Sequence, residues 1–426
     1  MTEMNVNSND IRLALPAAVE RVLSVLEGAA IPAYVVGGAV RDSIMGREVH
    51  DWDVAAASPP ETSAELFTAR GFRVIPTGIR HGTITVLSDG EPIEITAFRV
   101  DGSYSDGRHP DSVSFTSNIE EDLARRDLTV NAMAYSPSRG LCDPFDGRGD
   151  IARRRIRCVG DPRRRFTEDA LRIMRSFRFA AVLDYEIDPA TLSAAAELAG
   201  KLCAVSAERI AAEGERLLSA AHPAKQLCMA AKAGLPAVVL CGISPPPAEL
   251  EAVDRLPADP ALRLGAILRH AGLREPERAR AATAYLRLSN KGAARALAAA
   301  TVTLPPPDIT SVRRFMREVG NADAAILAAA ARGEDDSGEI LRLFRQISRE
   351  GGPVTMRTLA VGGRDLHAAG VPYSREMGQV LDFLLEAATA DPTLNSREVL
   401  LTMAAARYRE MSAPPPSGCS EIKDND

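Results

Sequence analysis

Across 426 residues the chain is 46% hydrophobic and 25% charged with a net charge of -6, a balance that fits a globular protein of two to four domains and shows none of the overall basic excess of a general nucleic-acid binder. Six cysteines, Cys142, Cys158, Cys203, Cys228, Cys241 and Cys419, form no C-x-x-C pair, which argues against a disulfide framework or zinc site and for reduced thiols in a cytoplasmic protein. The first ten residues carry neither a basic nor an apolar run, and the charge-poor stretch around Leu235 to Ile243 is too short to cross a bilayer, so no membrane role is expected.

The chain opens with a helical pattern from Ile11 to Leu26 that Asp10 can cap and Pro16 can kink or delay. Tyr34 to Val36 reads as a buried strand ending at Gly37 and Gly38, where a missing Cβ lets backbone N–H groups approach a ligand closely. Ala39 to Met45 has the pattern of a short helix closed by Gly46. The glycines then sit at a helix N-terminus, which attracts anions, and Arg41 adds a fixed charge. A second strand, Asp51 to Ala55, places Asp51 and Asp53 on one face. Two carboxylates held together call for a cation, and hard oxygen ligands beside a phosphate-binding turn suit Mg²⁺. A lone Gly-Gly is most often a turn and a lone Asp-x-Asp a solvated loop; it is their succession in one small unit that marks a site.

Pro60 to Ala69 reads as a helix ended by Gly71, and strands at Phe72 to Ile75, Thr83 to Leu87 and Ile93 to Phe98 complete a small mixed sheet. Glu94 is a third carboxylate beside the Asp pair if its strand neighbours theirs; otherwise it solvates the open face of the sheet. Arg99 to Ser112, rich in Gly, Ser, Asp and Pro, reads as a mobile loop. In Glu120 to Ala134, the cluster Arg125, Arg126 and Asp127 precedes an apolar helical run. Such a cluster either forms a salt-bridged helix face or clamps phosphates through Arg and ribose hydroxyls through Asp.

From Ile156 the character changes. Ten Arg stand against three acids between Arg153 and Arg178, and Asp169, Arg172, Arg175 and Arg178 recur at spacings of three, which places them in a row on one helical face. The bland alternative is an amphipathic helix with solvated arginines. Beyond Ala190 the chain reads as Ala- and Leu-rich helices broken by Pro-rich linkers at Ser244 to Ala248 and Leu304 to Asp308, and from Ala413 it reads as disordered.

GGAVRD (37–42), DWD (51–53), RRDLTVNA (125–132), DPFDGRGDI (143–151), RFTEDALRIMRSFRFA (165–180) and SAERIAAE (206–213), in this order and spacing, resemble the class II tRNA nucleotidyltransferase (CCA-adding enzyme) and bacterial poly(A) polymerase family. The helical remainder matches only in composition.

This resemblance implies an α+β fold: a nucleotidyltransferase head with a mostly antiparallel sheet (1–155), then a helical neck that recognises the nucleotide base (156–220), an RNA-binding body (221–345) and a tail (346–412), ahead of a disordered end (413–426). It implies CCA addition to tRNA from CTP and ATP, with two Mg²⁺ held by Asp51 and Asp53 and no obligate protein partner. Gly37, Gly38 and Arg41 would bind phosphates, Arg126 and Asp127 the phosphate and ribose, and Asp169 and Arg172 the base edge, supported by Arg175 and Arg178. Poly(A) addition, CC-only or A-only addition, and a silent RNA-binding relative are the alternatives. TGIRHGTITV (77–86) is similar to the tRNA-directed members.

Overall fold

The structure, a computed structural model, describes residues 11–79, 82–102, 112–239 and 245–412. The Asp10 cap, the middle of the 99–112 loop, Ser244 and the end from Ala413 lie outside the described residues. The chain forms two units, Met1–Gly272 with Arg280–Ser289, and Leu273–Ala279 with Asn290–Asp426.

In the first unit, helix α1 spans Ala17–Gly28 with Pro16 in extended geometry at its N-cap. The helix expected from Ile11 therefore starts later: proline's fixed φ and missing N–H suit a helix entry, not an interior. Strand β1 (Ala33–Val36) leads through Gly37 into α2 (Gly38–Ile44) and on to β2 (Asp53–Ala56). After α3 (Pro60–Ala69) come β3 (Arg73–Gly78), β4 (Thr83–Ser88) and β5 (Glu91–Ala97). Arg99–Asp101 forms a further strand, β6, paired antiparallel with β7 (Val113–Phe115), which corrects the reading of 99–112 as loop throughout. Short partnered edges of this kind carry too few residues to show a period.

Helix α4 (Ile119–Ala124) is capped by the Asn118 side chain, which accepts from Glu120 N. The expected apolar helical run to Ala134 is instead a single tight turn at Thr129–Asn131 followed by β8 (Ala134–Ser136) and β9 (Gly140–Cys142). The main sheet has seven strands in the order β3-β4-β5-β2-β1-β8-β9; β2 and β5 run parallel and the other neighbours antiparallel. Strand alternation divides its side chains between two cores. Val35, Val54, Ala56, Ile84, Val86, Ile93 and Ile95 pack with α1 and Phe67 of α3, while Val36, Ala55 and Ala134 pack with Phe98, Ile119 and Leu123 on the other face.

Helix α5 (Gly147–Ala152) and the strand pair β10 (Arg155–Ile156) and β11 (Glu186–Ile187) bracket α6 (Pro162–Glu168) and α7 (Leu171–Leu183). Then follow α8 (Pro189–Leu198), α9 (Ala207–Leu218), α10 (Ala224–Lys232), α11 (Leu235–Val239), α12 (Pro247–Leu250) and α13 (Pro260–His270). Arg263, buried on α13, donates to the carbonyls of Leu218, Ala220, Ala221 and Leu256 and so satisfies the C-terminal end of α9.

The second unit is helical. Ile309–Glu318, Ala322–Arg332 and Ser337–Arg349 close around Val312, Phe315, Ile326, Ile340 and Ile347. Gly363–Ala368, Arg375–Ala390 and Arg397–Ser412 close around Leu366, Val380, Leu384, Leu400 and Ala404. No helix among the described residues is long and apolar enough to cross a membrane.

Candidate active site

The site is built where β1 turns into α2. Gly37 adopts φ +74° and ψ -128°, a conformation that a side chain would strain. Its N–H is bonded to Met133 O (3.1 Å), which ties the turn to the approach to β8. A Cβ on Gly37 would lie 2.8 Å from Nη1 of Arg126, whereas one on Gly38 would meet Nη2 of Arg41 at an ordinary 3.6 Å. Arg41 is buried and largely engaged: Nε and Nη2 form a fork on Asp42 (2.9 and 2.7 Å), and Nη1 donates to Asn131 Oδ1 (2.5 Å).

Strand β2 begins at Asp53, so Asp51 lies before it and the expected strand from Asp51 is corrected. The period-two argument for a shared face does not reach Asp51; what joins the pair is charge. Partial burial, then Glu94, then Asp51 hold the Asp53 carboxyl above the usual carboxylate range, against the pull of Arg126. Glu94 is the register partner of Asp53 across the parallel β2–β5 ladder. Its strand is thus the neighbour of the strand that carries Asp53, as the third-carboxylate reading requires.

The chemistry of this donor set fits a hard divalent cation. Burial, then repulsion from Glu94 and Asp51, raises Asp53, and a cation would relieve the repulsion. Among the described residues no three acidic, His or Cys side chains converge closely enough to hold a metal alone, so phosphate oxygens and water would complete the shell, as is usual for Mg²⁺.

Arg126 lies against the Gly37 turn. It makes long bonds to Asp122 Oδ2 (3.4 Å) and Asn131 O (3.5 Å), while its buried Nε has no partner. Burial lowers its pKa, countered by Asp122. Asp122, wholly buried, also takes two bonds from Arg125 (2.9 and 2.8 Å), so one carboxylate braces the Arg pair.

Asp127 is buried as well. Its Oδ1 accepts from Leu128 N (2.8 Å) and Asn131 Nδ2 (3.4 Å), and its Oδ2 accepts from Arg175 Nε (2.6 Å). Burial pushes this carboxyl up, but Arg175, with Arg172 and Leu128 N, outweighs it and the net shift is downward.

The row expected on one helical face is broken. Asp169 caps the end of α6 with extended backbone, φ -147° and ψ 107°, and α7 restarts at Leu171. Its Oδ1 accepts from Leu171 N (3.0 Å) and its Oδ2 from Arg209 Nη2 (2.8 Å). Asp prefers to cap a new helix rather than continue one, which is the physical reason for the break. Arg172 donates to Glu168 Oε2 (2.7 Å) and to the carbonyl of Arg125 (3.1 Å). Arg178 pairs with Glu213 Oε2 (2.7 Å), and Arg175 lies 3.7 Å from Glu213 Oε1. Desolvation brings Arg178 down to about 10. Arg41, Arg175 and Arg178 all approach the ring of Phe179, at 5.1, 5.5 and 3.8 Å from its centroid.

The residues that sequence reasoning missed are these partners: Asp122, Asn131, Glu168, Phe179, Arg209 and Glu213. A signal was present for two of them, since Arg209 and Glu213 stand four apart in SAERIAAE, one turn along a helix.

A glycine turn on a helix N-terminus, a carboxylate pair at the next strand and an Arg-Asp cluster behind it, all on a small mixed sheet, define a nucleotidyltransferase head. Residues 33–157 match the poly A polymerase head domain, and residues 184–245 match the probable RNA and SrmB-binding site of polymerase A. The chain is similar to the CCA-adding enzyme of Streptococcus suis (47% identity over 209 residues, 48% of this chain and 51% of that one). It is similar also to the CCA-adding enzyme of Leuconostoc citreum (44% over 214 residues, 50% and 52%). The match thus spans about half the length of these curated relatives. Along nearly its whole length the chain superposes on the Bacillus stearothermophilus CCA-adding enzyme in complex with CTP, at TM-score 0.76 and 30% identity, covering 92% of this chain and 98% of that one. The Thermotoga maritima CCA-adding enzyme complexed with tRNA shares the fold at TM-score 0.67 and 20% identity, covering 92% and 96%. The chain belongs to the CCA-adding enzyme and poly(A) polymerase family of nucleotidyltransferases.

Proposed function

We propose that this protein adds CCA to the 3′ end of tRNA from CTP and ATP, with release of pyrophosphate. The observation that carries the reading is that Arg126 lies against the Gly37 turn and also acts on Asp53, which Glu94 and Asp51 adjoin. A triphosphate lying along the turn meets the N-terminal N–H groups of α2 and the unpartnered Nε of Arg126. Asp127, its carboxylate held in place by Leu128 N and Arg175, keeps lone pairs for ribose hydroxyls. Asp51 and Asp53 would hold two Mg²⁺; the chemistry supplied there, with the ions bound, is polarisation of the RNA 3′-hydroxyl and neutralisation of the triphosphate.

Base choice falls to Asp169 and Arg172. A carboxylate accepts from an exocyclic amine and a guanidinium donates to a ring acceptor; cytosine and adenine offer that pair, whereas uracil and guanine offer the reverse. A mismatch leaves a charged group unpaired at a cost of about 1–3 kcal/mol. Both residues keep capacity for this beside their protein partners, Arg172 through Nε and a remaining Nη2 proton. In the same reading, 1–155 is the catalytic head, 156–220 the neck, 221–345 and 346–412 the RNA-holding body and tail, and the setting is the cytoplasm.

The test uses a tRNA ending before CCA, with Mg²⁺, CTP and ATP, and sizes the product on a sequencing gel. Three added residues ending in A are expected. Long A tails, or equal use of an unstructured primer, would replace this reading with poly(A) addition.

A further inference from the structure

Arg209 lies in the first turn of α9, a helix that begins after Ser206, and it reaches across to the break between α6 and α7. There its Nη2 donates to Asp169 Oδ2 at 2.8 Å, with the two side chains 24% and 16% exposed. Asp169 is held at its other oxygen by Leu171 N (3.0 Å). The carboxylate is thus gripped at both oxygens, one by the amide that opens α7 and one by a guanidinium from another helix. Two such anchors remove the torsional freedom that an Asp in a helix break would otherwise keep. Arg209 shares its helix with Glu213, the buried acid that holds Arg178.

We propose that Arg209 is a specificity-determining positioning residue. It fixes the rotation of the Asp169 carboxylate, so that the lone pairs left over are presented to an amine donor on the base edge. Without Arg209 the Asp169 side chain is tethered by Leu171 N alone and can turn, and the distinction between an amine and a carbonyl on the base edge weakens. The inference rests on the base-reading role given above to Asp169.

The test compares wild type, Arg209→Met, Arg209→Lys and Asp169→Asn, measuring kcat/KM for CTP, ATP, UTP and GTP on the same tRNA, with a melting curve for each variant. Arg209→Met keeps the length of the stem and removes the charge. Its ratio of kcat/KM for CTP over UTP is expected to fall about tenfold or more, the size of one lost hydrogen bond to a charged group. Arg209→Lys is expected to recover part of that ratio, because a cation returns without the planar fork. An equal fall for all four nucleotides in Arg209→Met, or an unchanged ratio, would overturn the proposal and leave Arg209 a structural contact. Asp169→Asn separates the two levels. If it relaxes the CTP/UTP ratio while Arg209→Met does not, the Arg209 proposal alone fails; if it leaves the ratio unchanged, base reading by Asp169 fails and the Arg209 proposal falls with it.

Discussion

Replacing Gly37 by Ala tests the geometry of the phosphate turn, and its effect divides into two parts that can be measured separately. Backbone strain is the first. At φ +74° and ψ -128° an L side chain costs about 1–3 kcal/mol. For a unit of this size each kcal/mol lowers Tm by about 2–4 °C, so a drop of about 2–12 °C is expected. Steric displacement is the second. The new Cβ would sit 2.8 Å from Arg126 Nη1, and the guanidinium, held only by bonds of 3.4 and 3.5 Å, gives way before the backbone does. Losing one charged hydrogen bond to a phosphate costs about 1.5–3 kcal/mol, a rise in KM for CTP and ATP of about tenfold to a hundredfold. Gly38→Ala is the internal control. Its Cβ meets Arg41 at an ordinary 3.6 Å within α2, and Ala in a helix gains about 0.5–1 kcal/mol over Gly. Differential scanning fluorimetry and steady-state kinetics on both variants decide the matter. If Gly37→Ala melts with Gly38→Ala and binds nucleotide as wild type does, the turn does not place Arg126 and the argument is wrong.

Asp53→Asn should abolish transfer yet raise the Tm of metal-free protein. The folded pKa of Asp53 is raised, so its charged form is a penalty above that pKa which vanishes below the ordinary value near ~3.9; retained transfer, or a lower Tm, would refute this. By the same shift, the acid limb of the rate profile should lie above the ordinary Asp range and move down as Mg²⁺ is raised. Asp127→Asn should behave oppositely. Its folded pKa is depressed, so its contribution is complete above the unfolded value and is lost as pH falls through the folded one. A loss of about 2–3 kcal/mol is expected at pH 7, below the ~3–5 of a wholly buried pair because the Arg175 side chain is 31% exposed. Urea melts at pH 7 and pH 3.5 check this, the variant closing on wild type at the lower pH.

What could be read from the sequence was set by local rules, and what could not was set by partners distant in the chain. Pro60 opening α3 and the Gly-Gly turn between β1 and α2 are decided by backbone chemistry within a few residues. Asp169 shows where local reading fails: spacing by three is a sound helix signal until an Asp finds a helix start to cap, and two competing local rules then decide by context. Arg172, placed in a row of arginines on one face, pairs with Glu168 four residues back, a pairing that the sequence did contain. Arg175 on Asp127 and Arg209 on Asp169 join residues 48 and 40 apart, and no periodicity reports on such pairs.

Asp53 and Asp127 show how environment divides the labour between like residues. Burial, Glu94 and Asp51 push Asp53 upward against the charge of Arg126, so an occupant that would lower its energy is a cation. Asp127 already has a backbone amide, an amide side chain and a guanidinium on its two oxygens, and it is depressed in consequence. A metal there would compete with Arg175, whereas a hydroxyl donor would only add to the set. In the proposed reading, neutral donors such as ribose hydroxyls would suit Asp127 and metal ions would suit Asp53. Exchanging the two environments, for example by removing Arg175, should make Asp127 a competitor for Mg²⁺ rather than simply weaken the sugar contact.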